Sequence, residues 1–225
     1  RAAADRGNAE AQNKVGEACA QGRGVARNFA EANQWFQKAA AQGDVDAQVN
    51  LGYAHLEGLG VNKDPGAAVK LFRAAAEHGN ARAQLNLGAL YSNGGAGTRD
   101  VIEAFKWYQL AAKQGLPEAQ ARLGLCYERG QGVPQNLDEA AKWFRKAAEQ
   151  NHGAAAAILG YLYERGDGVK ADPAEAAKWY CKSADQNNSD GLFNLGRAYE
   201  HGISLSKDIG QARTYYQKAI VAGSR

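Results

Sequence analysis

The apolar and polar positions of this chain return every 36 residues. A glycine stands at Gly16, Gly52, Gly88, Gly124, Gly160 and Gly196. It is preceded by Val15, Leu51, Leu87, Leu123, Leu159 and Leu195. An aromatic column runs through Phe36, Phe72, Tyr108, Phe144, Tyr180 and Tyr216, and an alanine column through Ala32, Ala68, Ala104, Ala140, Ala176 and Ala212. Trp35, Trp107, Trp143 and Trp179 precede the aromatic column, with Leu71 and Tyr215 in the other two copies. A fixed period of this length is the signature of stacked repeats, and it decides the architecture before any single residue does.

Each unit reads as two helices. In the second copy, Ala47, Leu51 and Ala54 fall at i, i+4 and i+7, which predicts a first helix over about 44–57. The second helix opens at Asn28, Asp64, Asp100, Asn136, Asp172 and Asp208, residues whose side chains accept a bond from an otherwise orphaned backbone N–H. Three residues later stand Glu31, Glu103, Glu139, Glu175 and Gln211, which predicts a reciprocal capping box; Ala67 breaks the pattern. Pro65 and Pro173 take the first helical position, where a missing N–H costs nothing. Gly43, Gly79, Gly115, Asn151 and Asn187 mark the second helix's left-handed end. The small columns let two backbones approach, and the aromatic columns are expected to fill the space between neighbouring hairpins. One hairpin cannot bury its apolar face alone, so stacking is obligatory.

The expectation is an all-α chain: a right-handed α/α superhelix, or solenoid, of about six 36-residue helix-turn-helix repeats, forming one domain over 1–225. The repeats run approximately 8–43, 44–79, 80–115, 116–151, 152–187 and 188–223. "RAAADRGN" at the start matches "RAAAEHGN" at 73–80, so 1–7 reads as the end of a preceding repeat and the chain as a stretch of a longer array.

Candidate chemistry changes little in this picture. "ERGQGV" at 128–133 has the look of a phosphate loop, but such loops follow a strand and open a helix. Here the stretch follows a helix, and Gly22, Gly58, Gly94, Gly130, Gly166 and Gly202 form a complete column, so the glycines turn the chain. Apolar residues make up 45% of the chain, and a net charge of +3 comes from 27 interleaved basic and 24 acidic residues. That balance gives no reason to expect nucleic acid. The longest small-apolar run, "GAAAAILG", is far short of a membrane span, so no insertion of this segment is expected. Cys19, Cys126 and Cys181 form no CxxC pair or complete disulfide framework, and they fix no compartment. Cys19 and Cys126 read as inert small hydrophobes. His55, His78, His152 and His201 fall at four different repeat positions, so no metal site or cofactor is expected. "SLSK" at 204–207 matches S-x-x-K, but it precedes the cap Asp208 and lacks the partner motifs of penicillin-recognising enzymes. A non-enzyme is expected.

The pattern A-x-x-x-L-G-x-x-Y-x-x-G-x-G-V…D-x-x-E-A-x-x-W-[FY]-x-K-A-A-x-Q-G, clearest in "AQARLGLCYERGQGVPQNLDEAAKWFRKAAEQN", resembles the Sel1-like repeat, a relative of the tetratricopeptide repeat. The loops "NGGAGTRD" and "HGISLSKD" depart from it. The resemblance implies an adaptor that binds a protein or peptide. It also implies bacterial membership, with export, host interaction and virulence among the family's roles. A second implied reading is a cell-envelope protein that binds or processes peptidoglycan or a β-lactam. The family's relatives of that kind carry paired cysteines eight apart, which this chain lacks.

In such solenoids the first helices line the concave surface. The candidate contacts there are Asn50, Tyr53, Asn86, Arg122, Arg129, Tyr161, Arg165, Asn194 and Arg197. Asn50, Asn86 and Asn194 match a position where tetratricopeptide repeats carry a peptide-gripping asparagine. Amides suit an extended peptide because they donate and accept together. Arg122, Arg129 and Arg165 have the fork that holds a carboxylate. A solvated polar stripe reads the same way in sequence. Tyr91, Tyr127, Tyr163 and Tyr199 recur beside the apolar stripe and read as core.

Overall fold

The computed structural model describes residues 1–95, 97 and 99–223. Among the described residues there are helices and no strand. The helices are α1 (Ala2–Asp5), α2 (Ala9–Gln21), α3 (Phe29–Ala40), α4 (Val45–Glu57), α5 (Pro65–Glu77), α6 (Ala81–Asn93) and α7 (Val101–Lys113), followed by α8 (Pro117–Arg129), α9 (Leu137–Glu149), α10 (Gly153–Arg165), α11 (Pro173–Asp185), α12 (Ser189–His201) and α13 (Ile209–Gly223). After the short α1, even-numbered helices open a repeat and odd-numbered ones close it. The architecture is an all-α solenoid. The chain divides into two compact units, Arg1–Ala111 and Ala112–Arg225.

Local chemistry explains the boundaries. All six predicted caps of the second helices accept the N–H three residues on, at 2.9–3.1 Å: Asn28, Asp64, Asp100, Asn136, Asp172 and Asp208. The other half of the expected capping box does not form. The caps' own N–H groups instead donate to the carbonyls of Cys19, His55, Tyr91, Tyr127, Tyr163 and Tyr199, at 2.8–3.0 Å. These acceptors are themselves one period apart, so the bond that closes each hairpin consumes the donor that the glutamate would need. The glutamates turn outward to lysines: Glu103 to Lys106, Glu139 to Lys142 and Glu175 to Lys178.

The first helices have a cap column of their own that the sequence reading passed over. Asn8, Asp44, Asn80, His152 and Asn188 each accept the N–H three residues on. Leu116 has no side chain that can accept, and Pro117 follows it. The helices end on left-handed residues: Gly22, Gly58, Gly94, Gly130, Gly166 and Gly202 have φ of 66–80°. Gly168 has a further reason to be glycine. A Cβ there would sit 2.2 Å from the carbonyl of Leu137, because the turn after α10 rests on the first turn of α9.

Each unit has its own core. In the first, Phe72, Ala75 and Ala76 of α5 pack on Ala83, Leu87 and Leu90 of α6. In the second, Phe144, Ala147 and Ala148 of α9 pack on Ala155, Leu159 and Leu162 of α10. Full burial of such a Phe or Leu is worth about 1.5–3 kcal/mol. The aromatic column also packs inside its own hairpin, which the sequence reading had placed only between hairpins. A Cβ on Gly52 would lie 2.8 Å from the Phe72 ring, and one on Gly160 would lie 2.6 Å from Tyr180. The glycine column is therefore the seat of the ring 20 residues later. Tyr91, Tyr127, Tyr163 and Tyr199 are half-buried against these cores, at the edge of the packing.

Candidate first-helix recognition face

Within the first unit, the predicted face lies on α4 and α6 and is an amide network. Asn50 Nδ2 donates to Asn13 Oδ1 at 2.9 Å. Tyr53 Oη donates to Asn86 Oδ1 at 2.9 Å, while its exposed ring stands edge-on to Phe72 at 5.4 Å. Asn86 Nδ2 is buried and meets no acceptor among the described residues. Asn80, the cap of α6, donates from Nδ2 to Asp46 Oδ1 at 3.1 Å. Asn50, Tyr53 and Asn86 are thus brought to one face, with Tyr53 linking one first helix to the next.

Within the second unit, the face is charged. Arg122 Nε donates to Glu118 at 2.9 Å, one helical turn back. Arg129 is 60% exposed, and its nearest carboxylate is Glu128 at 3.6 Å, too long for a hydrogen bond. Tyr161 presents an exposed ring. The Arg165 guanidinium lies 5.5 Å from that ring's centre, and Arg165 Nη1 donates to Tyr161 Oη at 3.2 Å. Arg165 Nε also donates to Asp167 at 2.8 Å, the main reason its pKa is raised.

Arg197 differs from the other three arginines. Its Nη2 lies 2.5 Å from Glu164 Oε2, and Tyr180 Oη donates to that same oxygen at 2.7 Å. Burial, then the bond to Glu164, pushes the Tyr180 phenol far above its ordinary range. Asn194 lines a cavity of about 10 Å³ beside this trio, room for about one water. In the sequence all of these read alike as candidate contacts. The structure ties Arg197 into the joint between two repeats, where α10 and α12 stand close enough to pair, and gives Arg122 and Arg165 carboxylates from their own repeat, one turn back on α8 and two residues on.

Two features lay outside the sequence reading. His152 Nε2 donates to Glu118 Oε2 at 2.8 Å, and Nδ1 accepts from Ala155 N at 3.2 Å. The bond from His152 first, and the Arg122 charge after it, outweigh burial and hold the Glu118 carboxyl down to about 2. The signal available in sequence was position: His152 stands in the same column as Asn8, Asp44, Asn80 and Asn188. The second feature is a cavity of about 900 Å³ on α9 and the turn after α10, where Trp143, Lys142, Arg145 and Lys170 form part of the wall. Lys146 Nζ covers the Trp143 ring at 4.1 Å.

Elsewhere the chemistry is quiet. Burial pushes the Cys126 thiol up to about 11, and it raises Cys19 and Cys181 as well. Ser204 of the S-x-x-K match sits in the turn before α13 with φ of 59°. Among the described residues, no group of three His, Cys, Asp or Glu is placed to hold a metal ion, and no helix is long and apolar enough to cross a membrane.

Comparison with known proteins follows the same period. The Sel1 repeat model matches residues 9–44, 45–80, 81–116, 117–152, 153–188 and 189–224. A protective antigen of uropathogenic Escherichia coli that displays this fold is 36% identical over 98% of the chain, with a TM-score of 0.92. The chain spans 47% of that protein's length. A Sel1 repeat protein from Oxalobacter formigenes is 35% identical over 94% of the chain and 85% of its own, with a TM-score of 0.86. An immunity protein from Pseudomonas aeruginosa shares the fold at 21% identity, with a TM-score of 0.55 over 95% of this chain and 81% of its own. No curated protein matches. Six successive matches to one repeat, spaced as the glycine and aromatic columns are spaced, establish that the chain belongs to the Sel1 repeat family.

Proposed function

We propose that the protein is a non-enzymatic interaction scaffold that takes a protein or peptide on the face of its first helices. Sel1 repeats are commonly protein-interaction modules, and the repeat spends its buried residues on stacking. The first-helix face is one of the surfaces that stacking leaves exposed. The observation that carries the reading is in the second unit. Arg129 is 60% exposed with no carboxylate in hydrogen-bond range among the described residues, and the exposed Tyr161 ring and Arg165 occupy the next first helix. An exposed aromatic beside guanidinium groups is the composition that dominates protein recognition sites. A guanidinium can take a partner carboxylate by its two-pronged bond. In the first unit, Asn50, Tyr53 and Asn86 offer amide and hydroxyl groups suited to an extended backbone. The nearness of relatives described as an antigen and an immunity protein fits a molecule that works by contact.

The experiment is a panning of a random-peptide phage library on the chain. Peptides selected on it should lose at least about ten-fold in affinity, or about 1.4 kcal/mol, with Arg129→Glu/Arg165→Glu. They should keep it with Lys142→Glu/Lys178→Glu, which reverses charges on the second helices. The opposite ranking removes the face assignment. Hydrolysis of a chromogenic β-lactam by the purified chain would remove the non-enzymatic part and restore the envelope-enzyme reading.

A further inference from the structure

We propose that His152 is a pH-sensitive helix cap, which releases the first turn of α10 when its imidazole takes up a proton. The two bonds it makes define its state. Nδ1 accepts the Ala155 N–H at 3.2 Å, so it carries a lone pair, and Nε2 then carries the hydrogen donated to Glu118 at 2.8 Å. Both bonds together require the neutral ring in the Nε2–H form. An imidazolium has two donors and no acceptor, so it can keep Glu118 but cannot cap α10. The positive end of the α10 dipole adds to the disfavour.

In this cluster, His152 is the member whose cap bond depends on its protonation state. Glu118 on α8 is held down to about 2, so it remains a carboxylate throughout the imidazole range. Arg122 on α8, bonded to that carboxylate, is a fixed cation. The groups from α11 and the turn after it that crowd Gly153 are Ser183, Gln186 and Asn188, and the α9 end supplies Gln150; none of these titrates in this range. Protonation therefore leaves the ring tied to α8 by a stronger, charged bond, while α10 loses the acceptor for its third N–H.

The repeat period supplies the control. Asn80 and Asp46 occupy the same two positions two periods earlier. Asn80 caps α6 from Oδ1 and donates from Nδ2 to Asp46 at 3.1 Å. An amide performs both tasks at every pH, whereas an imidazole performs both only when neutral. The consequence falls on the joint that carries Glu118, Arg122, Tyr161 and Arg165, so the second unit's candidate face would loosen in mild acid while the first unit's would not.

The test is nuclear magnetic resonance of the whole chain between pH 7.5 and 5. At the high end, the His152 ring should show a pyridine-like Nδ1 and a protonated Nε2. As the ring titrates, the hydrogen-exchange protection factor of Ala155 should fall by about five-fold, the loss expected for a cap. The Ala83 amide, capped by Asn80, should not change. His152→Asn should hold Ala155 at one protection factor across the range. The opposite tautomer at pH 7.5, a flat protection factor in the wild type, or the same pH dependence in His152→Asn would each overturn the proposal.

Discussion

The joint that follows α5 in the first unit and the joint that follows α11 in the second are built on one backbone plan with different side chains. In the first, Ala75 faces Ala83, both fully buried, and Tyr53 reaches across the face to Asn86. In the second, Ser183 and Gly191 occupy the positions of that alanine pair. Ser183 Oγ donates to the Gly153 carbonyl at 2.7 Å, and across the face Arg197 meets Glu164 at 2.5 Å. A Cβ on Gly191 would lie 2.1 Å from Ser183 Oγ. The two pairs carry the same number of side-chain heavy atoms, but a Cβ on Gly191 would also lie 2.3 Å from the Ser183 Cβ, so the glycine lets the helices of the second joint approach more closely. The difference teaches that the period constrains the summed size of a facing pair and leaves its chemistry open.

Breaking that compensation should have the largest effect. Gly191→Ala adds a methyl group where Ser183 already stands, in a site with no free volume. Overpacking of this kind costs about 1–3 kcal/mol, which outweighs the gain of about 0.5–1 kcal/mol from replacing a helical glycine. Ser183→Ala/Gly191→Ala restores the Ala75–Ala83 composition and removes the nearer clash, but the Ser183 Cβ remains 2.3 Å from the added one, so it should recover only the part of the loss due to Oγ. Urea unfolding midpoints of the two variants decide it. If the double variant is no more stable than Gly191→Ala, the two joints are not interchangeable and the comparison fails.

The same contrast separates what the sequence shows from what it hides. The period, the caps at Asn28 and its equivalents, the left-handed ends at Gly43 or Asn151, and the turn glycines are legible because each is a local requirement of the backbone, copied six times. The exchange at Ser183 and Gly191 is local too, but it makes sense only once the two helices are seen to touch. The failure of the capping box has the same cause: the Asp64 N–H is taken by His55 O, a partner nine residues away that belongs to the other helix. The first-helix columns are named in sequence by their period. Which of their members remain free was not legible, because Arg197 and Glu164 differ by 33 residues and meet only through stacking. The cap role of His152 is hidden in the sequence because it depends on column position, where its residue type is the exception.

An effect of similar size should distinguish the two faces themselves. The Arg197–Glu164 contact is charged and partly enclosed, whereas the Tyr53–Asn86 bond is neutral and at the surface. Arg197→Leu leaves Glu164 with only the Tyr180 hydroxyl and should cost roughly 1.5–3 kcal/mol, the range for a hydrogen bond to a charged group. Tyr53→Phe removes one neutral bond and should cost roughly 0.5–1.5 kcal/mol. Thermal or urea unfolding of the two single variants reads the order. Equal costs would mean that the charged joint adds nothing over the amide one.

The smallest expected effect is on acid stability, and it belongs to the second unit alone. Glu118 has its folded pKa depressed to about 2, first by the His152 bond and then by Arg122. An unfolded glutamate titrates near about 4.3. A depressed acid contributes stability that is complete above the unfolded value and is lost as the pH falls toward the folded one. The window is therefore from about 4.3 down to about 2, and since Glu118 is 42% exposed, solvent screening keeps the contribution modest. Urea midpoints of the wild type and Glu118→Gln should differ above pH 5 and converge as the pH approaches 2. His152→Asn can keep a neutral bond to Glu118 but removes the imidazolium charge, so its acid loss should start at the same pH, be smaller, and end at a higher pH than the wild type's. The paired substitution in the first unit, Asn80→His, would place an imidazole against Asp46 in the same geometry and should import the cap's pH dependence there. If Asn80→His leaves the Ala83 amide protection flat between pH 7.5 and 5, the difference between the two units does not lie in the cap residue.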